Sequence, residues 1–79
     1  MYYVYIIWNK VKRSPYIGFT NNLEQRLKQH KFTKDIELVY YEAYKYEEEA
    51  RQRERKLKMY GSAWRGLKQR LQISFNKTT

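Results

Sequence analysis

The chain of 79 residues has no cysteine, which excludes a disulfide framework and a thiolate zinc site alike. It has one histidine, so a site built on several imidazoles is excluded as well. Acids are scarce, eight against 17 lysines and arginines, and the formal charge is +9. That surplus on so short a chain favours a polyanionic partner, with nucleic acid the first reading and a basic but inert domain the alternative. Long hydrophobic runs are missing too. The apolar stretch 2–8 is followed at once by Asn9 and Lys10, is too short to cross a bilayer and lacks the layout of a secretory signal. A cytoplasmic protein without a membrane partner is expected. With no repeat, linker or low-complexity stretch, residues 1–75 are expected to form a single domain, with 76–79 a frayed tail.

Aromatic residues are abundant: nine Tyr, two Trp and three Phe make up 18% of the chain. A chain of this size buries only about 60–65% of its unfolded surface, so bulky rings fill its small core efficiently. Residues 2–8 are β-branched or aromatic throughout and predict a well-buried strand. A polar, basic turn over 9–15 leads to a second strand over 16–20, paired with the first as a hairpin. Gly18 falls in mid-strand, where glycine marks a bulge or a close backbone approach. Asn21 with Glu24 resembles a capping box opening a helix over 22–31, and 32–37 is a connection. Residues 38–46 predict a third strand, with Val39, Tyr41 and Ala43 on one face and Leu38, Tyr40, Glu42 and Tyr44 on the other. Glu47-Glu48-Glu49 opens a second helix that ends on Arg55, Lys56 and Lys58, a polarity matching the helix dipole. Gly61 is the expected stop, and Ser62 the cap of a last helix bearing Trp64, Leu67 and Leu71 on one side. The fold class is therefore α+β: a three-stranded antiparallel sheet flanked by helices in the order β-β-α-β-α-α.

Three features exceed what folding requires. Tyr5 and Tyr16 lie on adjacent strands where their hydroxyls can converge at one edge of the sheet, although core aromatics with solvated tips would look the same. Arg26 and His30, four apart, line up on one helix face. Cutting a phosphodiester needs a cation to hold the phosphate and a group to shuttle a proton, and Arg and His supply these chemistries. Glu54 is the most informative. It lies on the packing stripe Ala50, Glu54, Leu57, amid Arg51, Arg53, Arg55, Lys56 and Lys58, and no other acid follows Ala50. A partly buried carboxylate needs a partner. Either Arg51 or Lys58 neutralises it, or a divalent metal uses it; magnesium accepts one carboxylate together with waters and substrate phosphate. Residues expected to contact nucleic acid are Arg26, Lys28, Arg53, Lys58, Arg65 and Lys68.

Several strings taken in order resemble the GIY-YIG endonuclease superfamily, particularly its small stand-alone members. Tyr3-Val4-Tyr5 stands where the first tripeptide belongs, and Tyr16-Ile17-Gly18 is the second, intact. Asn21-Asn22-Leu23-Glu24-Gln25-Arg26-Leu27-Lys28-Gln29-His30 resembles the family's helix. Leu38-Val39-Tyr40-Tyr41-Glu42 and Arg53-Glu54-Arg55-Lys56-Leu57-Lys58 resemble its later strand and its metal-binding helix. The resemblance implies hydrolysis of DNA phosphodiesters with one divalent metal, Mg²⁺ or Mn²⁺. Tyr5 and Tyr16 would be the paired tyrosines, either of which prepares the attacking water. Arg26 would brace the phosphate, His30 orient a tyrosine or pass a proton, and Glu54 hold the metal. The departures are Tyr3 for the first glycine, Phe19 where some members carry a lysine, and no counterpart near Gly66 for a polar residue of the last helix. A structure-dependent or single-strand-preferring enzyme is expected over a sequence-specific one, with RNA left open as a target. The alternative is a non-catalytic, basic nucleic-acid-binding module that keeps the fold.

Overall fold

The sheet is organised around its first strand. The computed structural model describes residues 1–29 and 35–71. In it β1 (Tyr2–Asn9) is the centre of a three-stranded antiparallel sheet, flanked by β2 (Ser14–Thr20) and β3 (Ile36–Tyr44) in the order β2-β1-β3. Its continuous run of apolar residues has a simple cause: Val4, Tyr5, Ile6, Ile7 and Trp8 are all buried, so neither face of the strand meets water. In the hairpin turn the Asn9 side-chain oxygen accepts the N–H groups of Val11 at 3.0 Å and Lys12 at 2.9 Å. This Asx turn brings Ser14 and Pro15 into the ladder earlier than expected, with Pro15 opposite Trp8. Proline is tolerated there because β2 is an edge strand.

β3 departs from its predicted alternation. Leu38 lies opposite Ile7 but Tyr40 lies opposite Ile6, so Val39 is an extra residue at a bulge. The bulge exchanges the expected sides of Leu38 and Val39. Val39 packs against the core with Tyr40 and Tyr44, while Leu38 joins Tyr3 and Tyr41 on the opposite face.

Two helices cover one face of the sheet. α2 (Glu47–Lys58) and α3 (Ser62–Arg70) press Ala50, Leu57, Trp64 and Leu67 onto Val4, Ile6, Trp8 and Ile17. Between them Tyr60, at φ 55°, takes the left-handed turn assigned to Gly61, and its ring meets Trp64 edge-on at 5.7 Å. That conformation costs roughly 1 kcal/mol for a residue with a Cβ, offset by the ring contact. Gly61 instead caps α3, its carbonyl accepting the Arg65 N–H at 3.0 Å, and Ser62 is the first helical residue. α1 (Leu23–Gln29) lies over the other face, with Leu23 and Leu27 beside Tyr3, Leu38 and Tyr41. Its cap is Asn22 and not Asn21: the Thr20 hydroxyl accepts the Asn22 N–H at 3.1 Å, which turns the Asn22 side-chain oxygen onto the Gln25 N–H at 3.1 Å. The expected end of this helix and the tail over 76–79 lie outside the described residues. The element order is β-β-α-β-α-α, as the sequence predicts.

Gly18 sits directly opposite Tyr5, and a Cβ placed there would overlap the tip of the Tyr5 ring and its hydroxyl. Gly18→Ala is therefore expected to destabilise the protein by about 1–3 kcal/mol, the usual cost of overpacking. Urea denaturation measures this, and a midpoint equal to the parent's would show that the ring is not seated on the glycine.

Candidate active site

Tyr5 is the hub of the site. Its side chain is 1% exposed although it ends in a hydroxyl, and a buried hydroxyl needs a partner. That partner is Tyr16, placed diagonally across the hairpin opposite Ile7, with ring centroids 6.3 Å apart and planes tilted by 39°. The two phenols share a hydrogen bond. Burial, reinforced by Tyr16, pushes the Tyr5 phenol up to about 12, with Arg26 pulling it down and Glu54 pushing it further up. These opposing effects place the guanidinium of α1 and the carboxylate of α2 within electrostatic reach of one phenol. The Tyr16 ring thus meets Tyr5, and the charges of Arg26 and Glu54 are felt at the same phenol, while His30 lies outside the described residues. Tyr16 is half exposed and reaches solvent where Tyr5 does not.

Glu54 is held at the border of the core because its helix neighbours Ala50 and Leu57 are fully buried. Its side chain is 17% exposed, and the Lys58 ammonium stands 3.2 Å away. Arg51, the other candidate partner, is engaged elsewhere: it pairs with Glu47 at 2.8 Å and lies 4.3 Å above the Phe19 ring. Among the described residues no group of three or more His, Asp and Glu side chains could enclose a metal. The donor set at Glu54 is one carboxylate beside a phenol. It fits a hard cation that keeps most of its waters and takes further oxygens from a substrate phosphate, and it does not fit a closed protein cage.

The basic residues assigned to nucleic acid are differently placed. Arg26, Arg65 and Lys68 are exposed. Lys28 is exposed and 3.7 Å from Glu24, a pairing that water screens. Arg53 is turned inward, where its Nε and Nη2 donate to the Glu42 carboxylate at 3.0–3.3 Å. The Tyr40 and Tyr44 hydroxyls donate to the same carboxylate at 2.6 and 2.7 Å. Burial pushes the Glu42 carboxyl up, but the hydrogen bonds from Arg53, Tyr40 and Tyr44 outweigh it and hold the group below the usual carboxylate range. Burial and the bond to Glu42 push both tyrosines up to about 12. This network pins α2 to β3 one residue before Glu54. Sequence reasoning missed it, although an acid on the same strand face as Tyr40 and Tyr44 was a signal that a cation must approach. It also missed Lys12, which lines a hollow of about 350 Å³ beside Tyr16. The basic character of the hairpin turn was the available clue.

A model of the GIY-YIG catalytic domain matches residues 1–68. The chain belongs to the GIY-YIG family, whose members are endonucleases that hydrolyse phosphodiester bonds and generally use divalent metal ions. The domain implies a nucleic-acid substrate. No curated protein and no solved structure matches the chain.

Replacing Glu42 by Gln leaves the Arg53 guanidinium half-buried without its counter-charge. A loss of about 2–3 kcal/mol is expected, the scale of hydrogen bonds to charged groups in a partly buried pair. Because the folded Glu42 carboxyl is lowered, its contribution is full above the unfolded value of about 4.3 and fades as pH falls through the folded value. The stability gap between parent and Glu42→Gln should therefore be widest near neutrality and close below about pH 4. Thermal melts across that range measure it; a gap that does not depend on pH would refute the ionised clamp.

Proposed function

We propose that this GIY-YIG domain is a DNA endonuclease dependent on Mg²⁺ or Mn²⁺, directed to single-stranded or branched structures and not to a base sequence. What supports the reading is the buried Tyr5 phenol with the Tyr16 ring against it and with the charges of Arg26 and Glu54 both felt there. Folding alone supplies no reason to bring a guanidinium from α1 and a carboxylate from α2 to one phenol pair. Exposed cations such as Arg65 and Lys68 contact phosphates, which position a strand without reporting its sequence.

The two tyrosines divide the work by exposure. Tyr5, shielded from water and pushed up to about 12, keeps its proton and hydrogen-bonds Tyr16 in place. Tyr16, which meets solvent, accepts the proton of the attacking water as its oxygen bonds to phosphorus and the bridging P–O bond breaks. Arg26, whose charge is felt at the adjoining Tyr5 phenol, would help to stabilise the charge that develops at the phosphate. The Arg26 fork grips two phosphate oxygens. His30, by family resemblance, orients a tyrosine or passes a proton. Glu54 would hold the cation, which when bound polarises the phosphate and stabilises the leaving oxygen. Until then the Lys58 ammonium neutralises the same carboxylate, 3.2 Å away.

Purified protein incubated with labelled single-stranded, duplex and branched DNA should nick it only when Mg²⁺ or Mn²⁺ is present. Glu54→Gln should cut at least about 100-fold more slowly while still binding DNA. Tyr16→Phe should lose about 10²–10⁴-fold in rate, the usual worth of a general base. Cutting by Glu54→Gln at the parent rate would remove Glu54 from metal binding. A protein that binds with salt-sensitive affinity and never cuts would instead be a nucleic-acid-binding module on this fold.

Lys58→Gln removes the cation that competes for Glu54. Mn²⁺ titration of the DNA-free protein should show an affinity about two- to fivefold higher than the parent's, matching the modest strength of a partly exposed ion pair. Unchanged or weaker Mn²⁺ binding would mean that Lys58 does not guard the carboxylate.

A further inference from the structure

We propose that the cleft between α1 and the sheet is a stacking subsite for one unpaired nucleobase of the strand being cut, with Tyr41 as its platform. The proposal rests on the endonuclease reading of the neighbouring phenol pair. Tyr41 lies directly opposite Tyr5 on the adjoining strand, and because the Tyr5 ring leans over Gly18 on the far side of β1, the subsite stands about two strand spacings from the phenol pair. Its ring is 54% exposed in the middle of β3 yet held in orientation by Tyr3, edge to face at 6.3 Å and 62°. A large aromatic left open to water and fixed in direction does little for the core, but it offers a π face at low entropic cost.

The rest of the cleft decides what that face receives. It holds about 480 Å³ and is flanked by Leu23, Leu27 and Leu38. Among the described residues no lysine or arginine lines it, and its one charged member is the acid Glu24. Among the described residues the cleft thus offers a phosphate no cation of its own, whereas Arg26 stands exposed on the same helix. The amides of Asn21 and Asn22 supply polar edges at the rim; the Asn22 oxygen is occupied by the Gln25 N–H, which leaves its NH₂ to donate. The occupant these walls select is flat, uncharged and able to hydrogen-bond at its edge. A base within a duplex already has stacking partners on both faces, so the base that enters is an unpaired one.

The test uses Glu54→Gln protein, which holds DNA without cutting it, and oligonucleotides carrying the fluorescent base 2-aminopurine. Stacking on Tyr41 quenches the fluorescence of the single strand. Adding Tyr41→Ala is expected to weaken single-strand binding about 5- to 150-fold, to abolish the quenching and to leave duplex affinity unchanged. Tyr41→Phe, which keeps the π face, is expected to match the parent in both respects. Tyr41→Leu keeps an apolar side chain on the strand and separates stacking from simple packing: it should behave like Tyr41→Ala, with an unchanged thermal melt. Quenching and affinity retained in Tyr41→Leu would overturn the proposal. Quenching by a parent protein that cuts no DNA would refute the nuclease reading and still support the subsite.

Discussion

A phenol buried to its hydroxyl is the constraint on which the rest of this structure depends. Tyr5 belongs to the central strand, and its ring tip fits only because Gly18 across the hairpin has no side chain. Once the hydroxyl is out of water it must be satisfied, and Tyr16 is the group that the register brings within reach. The register follows from the Asx turn at Asn9, so a side-chain amide in the hairpin turn sets the spacing of the two phenols. Burial also divides the pair: one phenol holds its proton, and the other faces solvent.

Around that pair the charges are arranged with little to spare. The chain carries +9, yet the acid nearest the phenols is placed on a helix crowded with cations. Lys58, itself half exposed, pairs with Glu54 at 3.2 Å across one helical turn. Glu42 is the opposite case. Three side chains saturate both of its oxygens, so it is a structural clamp, and Arg53 is withdrawn from the basic surface to serve it. The two acids, one among tyrosines on a strand and one among cations on a helix, thus differ in how many donors each has within reach.

The two faces of the sheet carry different groups. One carries the packed core against α2 and α3. The other carries Tyr3, Tyr5, Tyr16 and Tyr41 in neighbouring positions, and among the described residues the short helix α1 lies over it. The bulge at Val39 supports this division by turning Leu38 to the tyrosine face and Val39 to the core. A cleft walled by Tyr3, Leu38 and Tyr41 results beneath α1.

The sequence by itself determined the element order, the centrality of the first strand and the membership of Tyr5, Tyr16, Arg26 and Glu54 in a candidate set. These follow from periodicity, turn chemistry and local motifs, which act over a few residues. Gly18 was legible for the same reason, as a glycine where a strand would not choose one. What tertiary structure alone decided was which partner each side chain took and where each turn fell. It made Lys58 and not Arg51 the partner of Glu54, assigned Arg53 to Glu42 and moved the left-handed turn from Gly61 to Tyr60. It also reversed the sides of Leu38 and Val39. Each depends on which side chain has a neighbour waiting once helices and strands have packed, and an ion pair or a ring contact outweighs a local preference of about 1 kcal/mol.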